Sequence, residues 1–202
     1  MISRRKILFA GAACMAGVLG IDAGPGRAAA ADPDEFIRSM GQEAIDSLTA
    51  PKLTTEQREA SFRKILRRAF DMRTIARFTL GRYWRKASKS EREEYVGLFE
   101  TFIVQAYTTR FRNYAGESFK VGKVHTINER DRLVVSTIIR PKGPPISVNW
   151  RVRGDNKLRI VDVVVEGISM GITQRDEFAS VIRRNGGKVE SLLAALRKKT
   201  AK

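Results

Sequence analysis

The spacing of apolar residues changes period twice along this chain. From Asp32 to about Tyr114 they recur every three or four positions, from Phe119 to Gly167 every second position, and from Gln174 onward the helical spacing returns. Asp32-Pro33-Asp34 opens the first helix, with proline in the first turn and acids at the positive end of the helix dipole. Phe36, Ile37, Met40, Ala44, Ile45 and Leu48 form its apolar stripe, and Ala50-Pro51 breaks it. A second helix runs from Thr54, with Phe62, Ile65, Leu66 and Ala69 on one side. Asp71 then caps a short third helix carrying Ile75, Ala76 and Leu80, which Gly81 ends. Ser88 and Glu91 have capping-box spacing at the head of the longest helix. Its stripe of Tyr95, Leu98, Phe99, Phe102, Ile103, Ala106, Tyr107 and Phe111 is broad and poor in charge.

Four strands follow, at Phe119 to Ile127, Arg132 to Arg140, Ile146 to Arg153 and Leu158 to Gly167. Short links rich in Asn, Asp, Gly and Pro join them, so an antiparallel meander is predicted. Ile146, Val148, Trp150 and Val152 share one face of the third strand, and Val161, Val163 and Val165 share one face of the fourth. The sheet therefore has one strongly apolar face and one mixed face. Two helices finish the chain, Gln174 to Arg184 and Lys188 to Leu196, and the basic tail from Arg197 to Lys202 is expected to fray. The fold class is α+β: a curved four-strand antiparallel meander covered by N-terminal and C-terminal helices.

The first thirty residues stand apart from this pattern. Ser3-Arg4-Arg5-Lys6 precedes an uncharged apolar run from Ile7 to Ile21, and Arg27 leads a string of alanines. These are the three parts of a secretory signal peptide, with cleavage expected near Ala30, and the paired arginines resemble a twin-arginine export signal. Residues 1–31 are read as the signal and 32–202 as a single domain with a basic tail. The whole chain carries 38 Lys and Arg against 22 Asp and Glu, for a net charge of +16. Loss of the signal removes four basic residues and one acidic one, leaving +13. In an exported protein that balance addresses anionic membrane surfaces rather than nucleic acid.

Polar chemistry finds little support. Cys14, the one cysteine, falls inside the signal, so the mature chain is expected to hold no thiol, disulfide or thiolate-bound metal. His125 is the one histidine and reads as an ordinary strand residue. No metal site and no cofactor are expected. Asp162 and Glu166 fall on one strand face at two-step spacing, so a carboxylate pair for acid–base work is geometrically possible, with solvated side chains as the plainer reading. What remains is an excess of apolar residues, which fits either a solid core or a cleft between helices and sheet that admits acyl chains. Each buried methylene is worth about 0.8 kcal/mol, so two acyl chains need no polar chemistry to bind tightly.

Two blocks resemble a known family. Phe70-Asp71-Met72, then Leu80 to Arg85, then Glu91-Arg92 leading to Phe99, is similar to the middle segment of MlaC-type periplasmic phospholipid-binding proteins, the toluene-tolerance family. Val161 to Ser169 followed by Gln174-Arg175-Asp176-Glu177-Phe178 resembles that family's second block. The resemblance implies a cone-like sheet around a deep apolar pocket, no enzyme activity, and a monomeric shuttle. It also implies that lipid passes between an inner-membrane ABC permease complex and an outer-membrane lipid complex. A hopanoid-associated, HpnM-like branch implies a polycyclic lipid instead. The apolar pattern offers as lining Phe70, Ile75 and Phe78, then Leu98, Phe99, Phe102 and Ile103, then Val148, Trp150, Val163 and Val165. Arg82, Tyr83, Trp84 and Arg85 are candidates for a headgroup rim. Two other classes remain: an enzyme on the same cone-shaped sheet with Asp162 or Glu166 as acid/base, and a membrane-surface adaptor using its basic face alone.

Overall fold

A computed structural model describes residues 31–50, 52–111 and 116–201. The signal segment with Cys14 and the cleavage point near Ala30 lie outside the described residues, as do Pro51 and Tyr114. Helices α1 (Pro33–Thr49), α2 (Thr55–Ala69) and α3 (Met72–Leu80) come first, followed by a 3-10 turn (Gly81–Arg85) and the long helix α4 (Lys89–Phe111). Strands β1 (Ser118–Thr126), β2 (Asp131–Ile139), β3 (Ile146–Arg153), β4 (Arg159–Val165) and β5 (Ile168–Ser169) form one antiparallel sheet in sequential order. Helices α5 (Met170–Arg184) and α6 (Val189–Thr200) close the chain.

Local chemistry sets the helix starts. Thr54 and Gln57 exchange side-chain-to-backbone bonds at 2.8 and 3.2 Å, and Ser88 and Glu91 do the same at 2.7 and 3.1 Å. Asp71 accepts from the Thr74 amide at 3.0 Å and from its hydroxyl at 2.6 Å. Each such cap contributes about 1 kcal/mol by satisfying amides that the first turn leaves open.

Three features differ from the sequence reading. The sheet has five strands, because the fourth stops at Val165 and the chain turns back through Glu166 and Gly167 to pair Ile168 with Val165. Glu166 (φ 49°) and Gly167 (φ 80°) both take left-handed backbone, which alternation alone does not reveal. Helix α5 starts at Met170 rather than Gln174, because Ser169 caps it through the Ile172 amide at 3.1 Å. The basic tail does not fray at Arg197. That side chain reaches Glu94 at 2.5 Å and Glu190 at 2.6 Å, and α6 continues to Thr200.

The buried side chains fall into two clusters. The first joins Ile37, Met40 and Leu48 of α1 and Ile65 and Leu66 of α2 to Val134, Val152 and Ile160 of the sheet. The second joins Leu80 of α3, Tyr95 and Phe99 of α4, Phe178 and Ile182 of α5 and Leu192, Leu193 and Leu196 of α6. Helix α4 serves both, with Phe99 in the second cluster and Val104 in the first.

Candidate functional site

In-register partners place Val134 with Trp150, Val148 with Val165, Trp150 with Val163 and Val152 with Ile160 on one face of the sheet. A bulge between β3 and β4 keeps Ile160 and Val163 on that same face although they are three positions apart. One end of the face is closed, since Val134, Val152 and Ile160 have no exposed surface. At the other end Ile138, Ile146 and Val165 are only half-buried. The face is thus sealed at the Asp131 end and partly open at the Val165 end.

A half-buried apolar shell packs against the first cluster: Phe36, Phe70, Met72, Ile103, Tyr107, Phe119, Val121, Trp150 and Val163. Trp150 is fixed within it. Its indole N–H donates to Ser136 Oγ at 2.9 Å, Ser136 donates onward to the Val148 carbonyl, and its ring meets Phe119 edge-on at 6.2 Å. Phe119 in turn lies against Gly41 of α1, where a Cβ would come within 2.5 Å of the ring. Met72 and Ile103 pack on both clusters and form the seam between them.

The lining residues offered by the sequence divide along this seam. Phe70, Ile103, Trp150 and Val163 belong to that shell, Val148 is buried, and Val165 stands at the half-open end. Ile75, Leu98 and Phe102 are half-buried on the second cluster. Phe99 is buried inside that cluster, stacked on Tyr95 at 5.8 Å and edge-on to Phe178 at 6.0 Å. Tyr95 bonds Thr79 at 2.8 Å, and burial pushes its phenol up from the ordinary tyrosine value. Phe78 is 40% exposed, with the Arg175 guanidinium 5.0 Å above its ring. Phe36, Met72, Tyr107, Phe119 and Val121 are members of the shell that are absent from the lining offered by the sequence. The strand alternation placing Phe119 beside Val121 is the signal that would have found two of them.

The four proposed rim residues also separate. Arg82 and Arg85 are exposed, whereas Tyr83 is only 3% exposed and belongs to the second cluster. Arg82 and Lys86 lie 5.0 and 5.8 Å from the Tyr83 ring, so this tyrosine anchors the 3-10 turn instead of edging a pocket. Trp84 is half-buried between Arg73 and Arg92, at 5.9 and 5.6 Å.

Asp162 and Glu166 do not form a pair on one strand face. Asp162 accepts from Ser169 Oγ at 2.6 Å, the Gly171 amide at 3.0 Å and the Val163 amide at 2.9 Å. Glu166 lies in the turn and accepts from the Ser147 amide. Both carboxylates hold backbone in place. His125 is exposed on the edge strand β1, and no group of acids and histidine suited to a metal occurs among the described residues.

The model of one protein family, described as MlaC protein, matches residues 38–198. The chain belongs to the MlaC family. The match takes in α2 to α5 whole and most of α1 and α6, and thus nearly all of both clusters. Among solved structures, the phospholipid-binding protein from Ralstonia solanacearum, determined in complex with a phospholipid, superposes with a TM-score of 0.73 at 20% identity. The alignment covers 84% of this chain and 97% of that one. At that identity the likeness establishes a shared fold.

Proposed function

We propose that this MlaC-family member is a periplasmic lipid carrier that holds acyl chains between the apolar sheet face and α3–α4, leaving the headgroup outside. The observation that carries the proposal is the gradient along the sheet face, sealed at Val134, Val152 and Ile160 and half-open at Ile138, Ile146 and Val165. A blind apolar face with one accessible end suits a ligand that is apolar at one end and charged at the other. Parting the seam at Met72 and Ile103 would lengthen the space available to acyl chains. Phe70, Ile75, Ile103, Val148, Trp150, Val163 and Val165 are the proposed lining, and the exposed Arg82 and Arg85 are candidates for the headgroup phosphate. The related Ralstonia protein, solved with phospholipid on the same fold, supports the ligand class. Service as the shuttle between an inner-membrane ABC permease and an outer-membrane complex is the role this reading assigns, with residues 1–31 as the export signal.

The test is mass spectrometry of lipid released from mature protein purified without detergent. Stoichiometric phospholipid is expected. A hopanoid in its place would redirect the ligand to polycyclic lipids, and folded protein free of any lipid would refute the carrier.

A further inference from the structure

Helix α3 has two chemically opposite sides. Met72, Ile75, Ala76 and Leu80 pack into the apolar clusters, whereas Arg73, Thr74 and Arg77 face a groove of about 480 Å³. Asp71, Trp84, Lys89, Arg92 and Glu93 complete its walls. Four cations therefore face two carboxylates. Asp71 is committed to capping α3 through Thr74. Arg92 is held by the Trp84 carbonyl at 2.8 Å and lies on the indole, leaving its remaining N–H groups without a carboxylate among the described residues.

Glu93 shows how the groove handles an acid. Its carboxylate is held by both terminal nitrogens of Arg73, at 2.9 and 3.2 Å, although both side chains are more than half exposed. The Lys89 ammonium adds to the positive field on Glu93 without forming an ion pair, and Arg77 has no ion pair with a described carboxylate. The groove thus binds one carboxylate of its own chain and has cations to spare. The apolar body of α3 separates it from the sheet face, so a lipid held there would not bring its headgroup into the groove. A concave site also disfavours a flat bilayer surface.

We propose that this groove is a docking site for an acidic segment of a partner protein, whose carboxylates engage Arg77, Lys89 and Arg92 against the Trp84 ring and compete with Glu93 for Arg73. It stands apart from the lipid proposal and would hold whether or not lipid binds.

Hexaglutamate is the probe. Calorimetric titration of the unaltered mature protein should give saturable binding that weakens with salt. Arg77→Glu with Lys89→Glu should weaken it at least tenfold, and Glu93→Gln should strengthen it about threefold by freeing Arg73. Both altered positions are exposed, and the glutamate that Lys89→Glu places in the first turn of α4 offsets the less favourable one that Arg77→Glu places in the last turn of α3, so the variants should fold with lipid content unchanged. In a Trp150→Phe background Trp84 is the only tryptophan, and its emission should shift with the peptide; difference spectra against Trp84→Phe report the same residue if that background is unstable. Absent binding, or binding indifferent to Arg77 and Lys89, would overturn the proposal. So would a saturable Trp84 response to phosphatidylglycerol vesicles or inorganic phosphate that hexaglutamate fails to reproduce.

Discussion

Asp162 and Ser169 meet across the β4–β5 turn, with the serine hydroxyl donating to the carboxylate at 2.6 Å while accepting from the Ile172 amide at 3.1 Å. The same carboxylate takes the Gly171 amide at 3.0 Å, so one acid ties the end of the sheet to the first turn of α5.

Asp162→Ala removes the acceptor for these groups and should lower unfolding stability by about 2 kcal/mol, with Ser169→Ala costing about 1 kcal/mol. Urea unfolding measures both. Lipid content per folded molecule should stay near that of the parent. A fall to nothing in a variant of near-normal stability would put Asp162 in the ligand site instead.

Replacing a mid-helix glycine by alanine ordinarily stabilises by up to about 1 kcal/mol. At Gly41 the sign should reverse, because the new methyl would lie 2.5 Å from the Phe119 ring. Gly41→Ala is expected to destabilise by 1 kcal/mol or more, on the order of other overpacked sites. Combining it with Phe119→Leu should recover part of the loss, which a double-mutant cycle reads directly.

Asp131 is buried at the closed end of the sheet between Arg153 and Arg151, at 2.7 and 2.6 Å. The bonds from Arg153 and then Arg151 outweigh the cost of burial and hold its carboxyl at about 2, below the ordinary 3.8. A depressed carboxyl stabilises the fold at neutral pH and loses that contribution as pH falls from about 4 through 2. Both arginines are partly exposed, so the contribution should be about 1–2 kcal/mol, at the low end for a buried acid. Asp131→Asn should remove it and flatten stability against pH across that window. A variant with the parent's acid slope would show that other groups carry it.

Val165 stands at the half-open end of the sheet face, where Val165→Glu places a charge beside the proposed acyl path. Its water access should limit the stability cost to about 1 kcal/mol. Lipid recovered per folded molecule should fall by at least half, whereas His125→Glu on the exposed edge strand should change nothing. Equal losses in both would point to charge in general rather than the path.

Signals confined to a few neighbouring residues were legible in the chain. Asp71 caps α3 and the Ser88–Glu91 pair opens α4 at the positions their spacing implies, because both depend on backbone within one turn. The apolar face of β3 was legible for the same reason. Alternation across Val161 to Glu166 read as one long strand because hydropathy carries no mark of the positive φ at Glu166 that ends it. Periodicity also identifies a helix's buried side without naming its neighbour. Phe99 and Ile103 belong to one stripe, yet the first lies inside the second cluster and the second lies on the seam. The fate of Arg197 depended on Glu94, more than a hundred positions earlier, and no local window contains both.

Phe70 forms an isolated parallel bridge with Ile160, and the Asp71 amide donates to the Ile160 carbonyl at 2.9 Å. This joins the α2–α3 junction to β4 across some ninety residues. The strands between them pair in the order they are made, so each hairpin closes a short loop at small entropic cost. The bridge closes a far longer loop than any hairpin does, and the second cluster still lacks Leu192, Leu193 and Leu196 until α6 is complete. Assembly should therefore run from the meander outward, with amides of β2 and β3 protected before those of α3 in pulse-labelled exchange. A chain cut before α6 would therefore hold a formed sheet with α1 and α2 docked on it, while the side of α4 that carries Tyr95 and Phe99 still waits for its last partners.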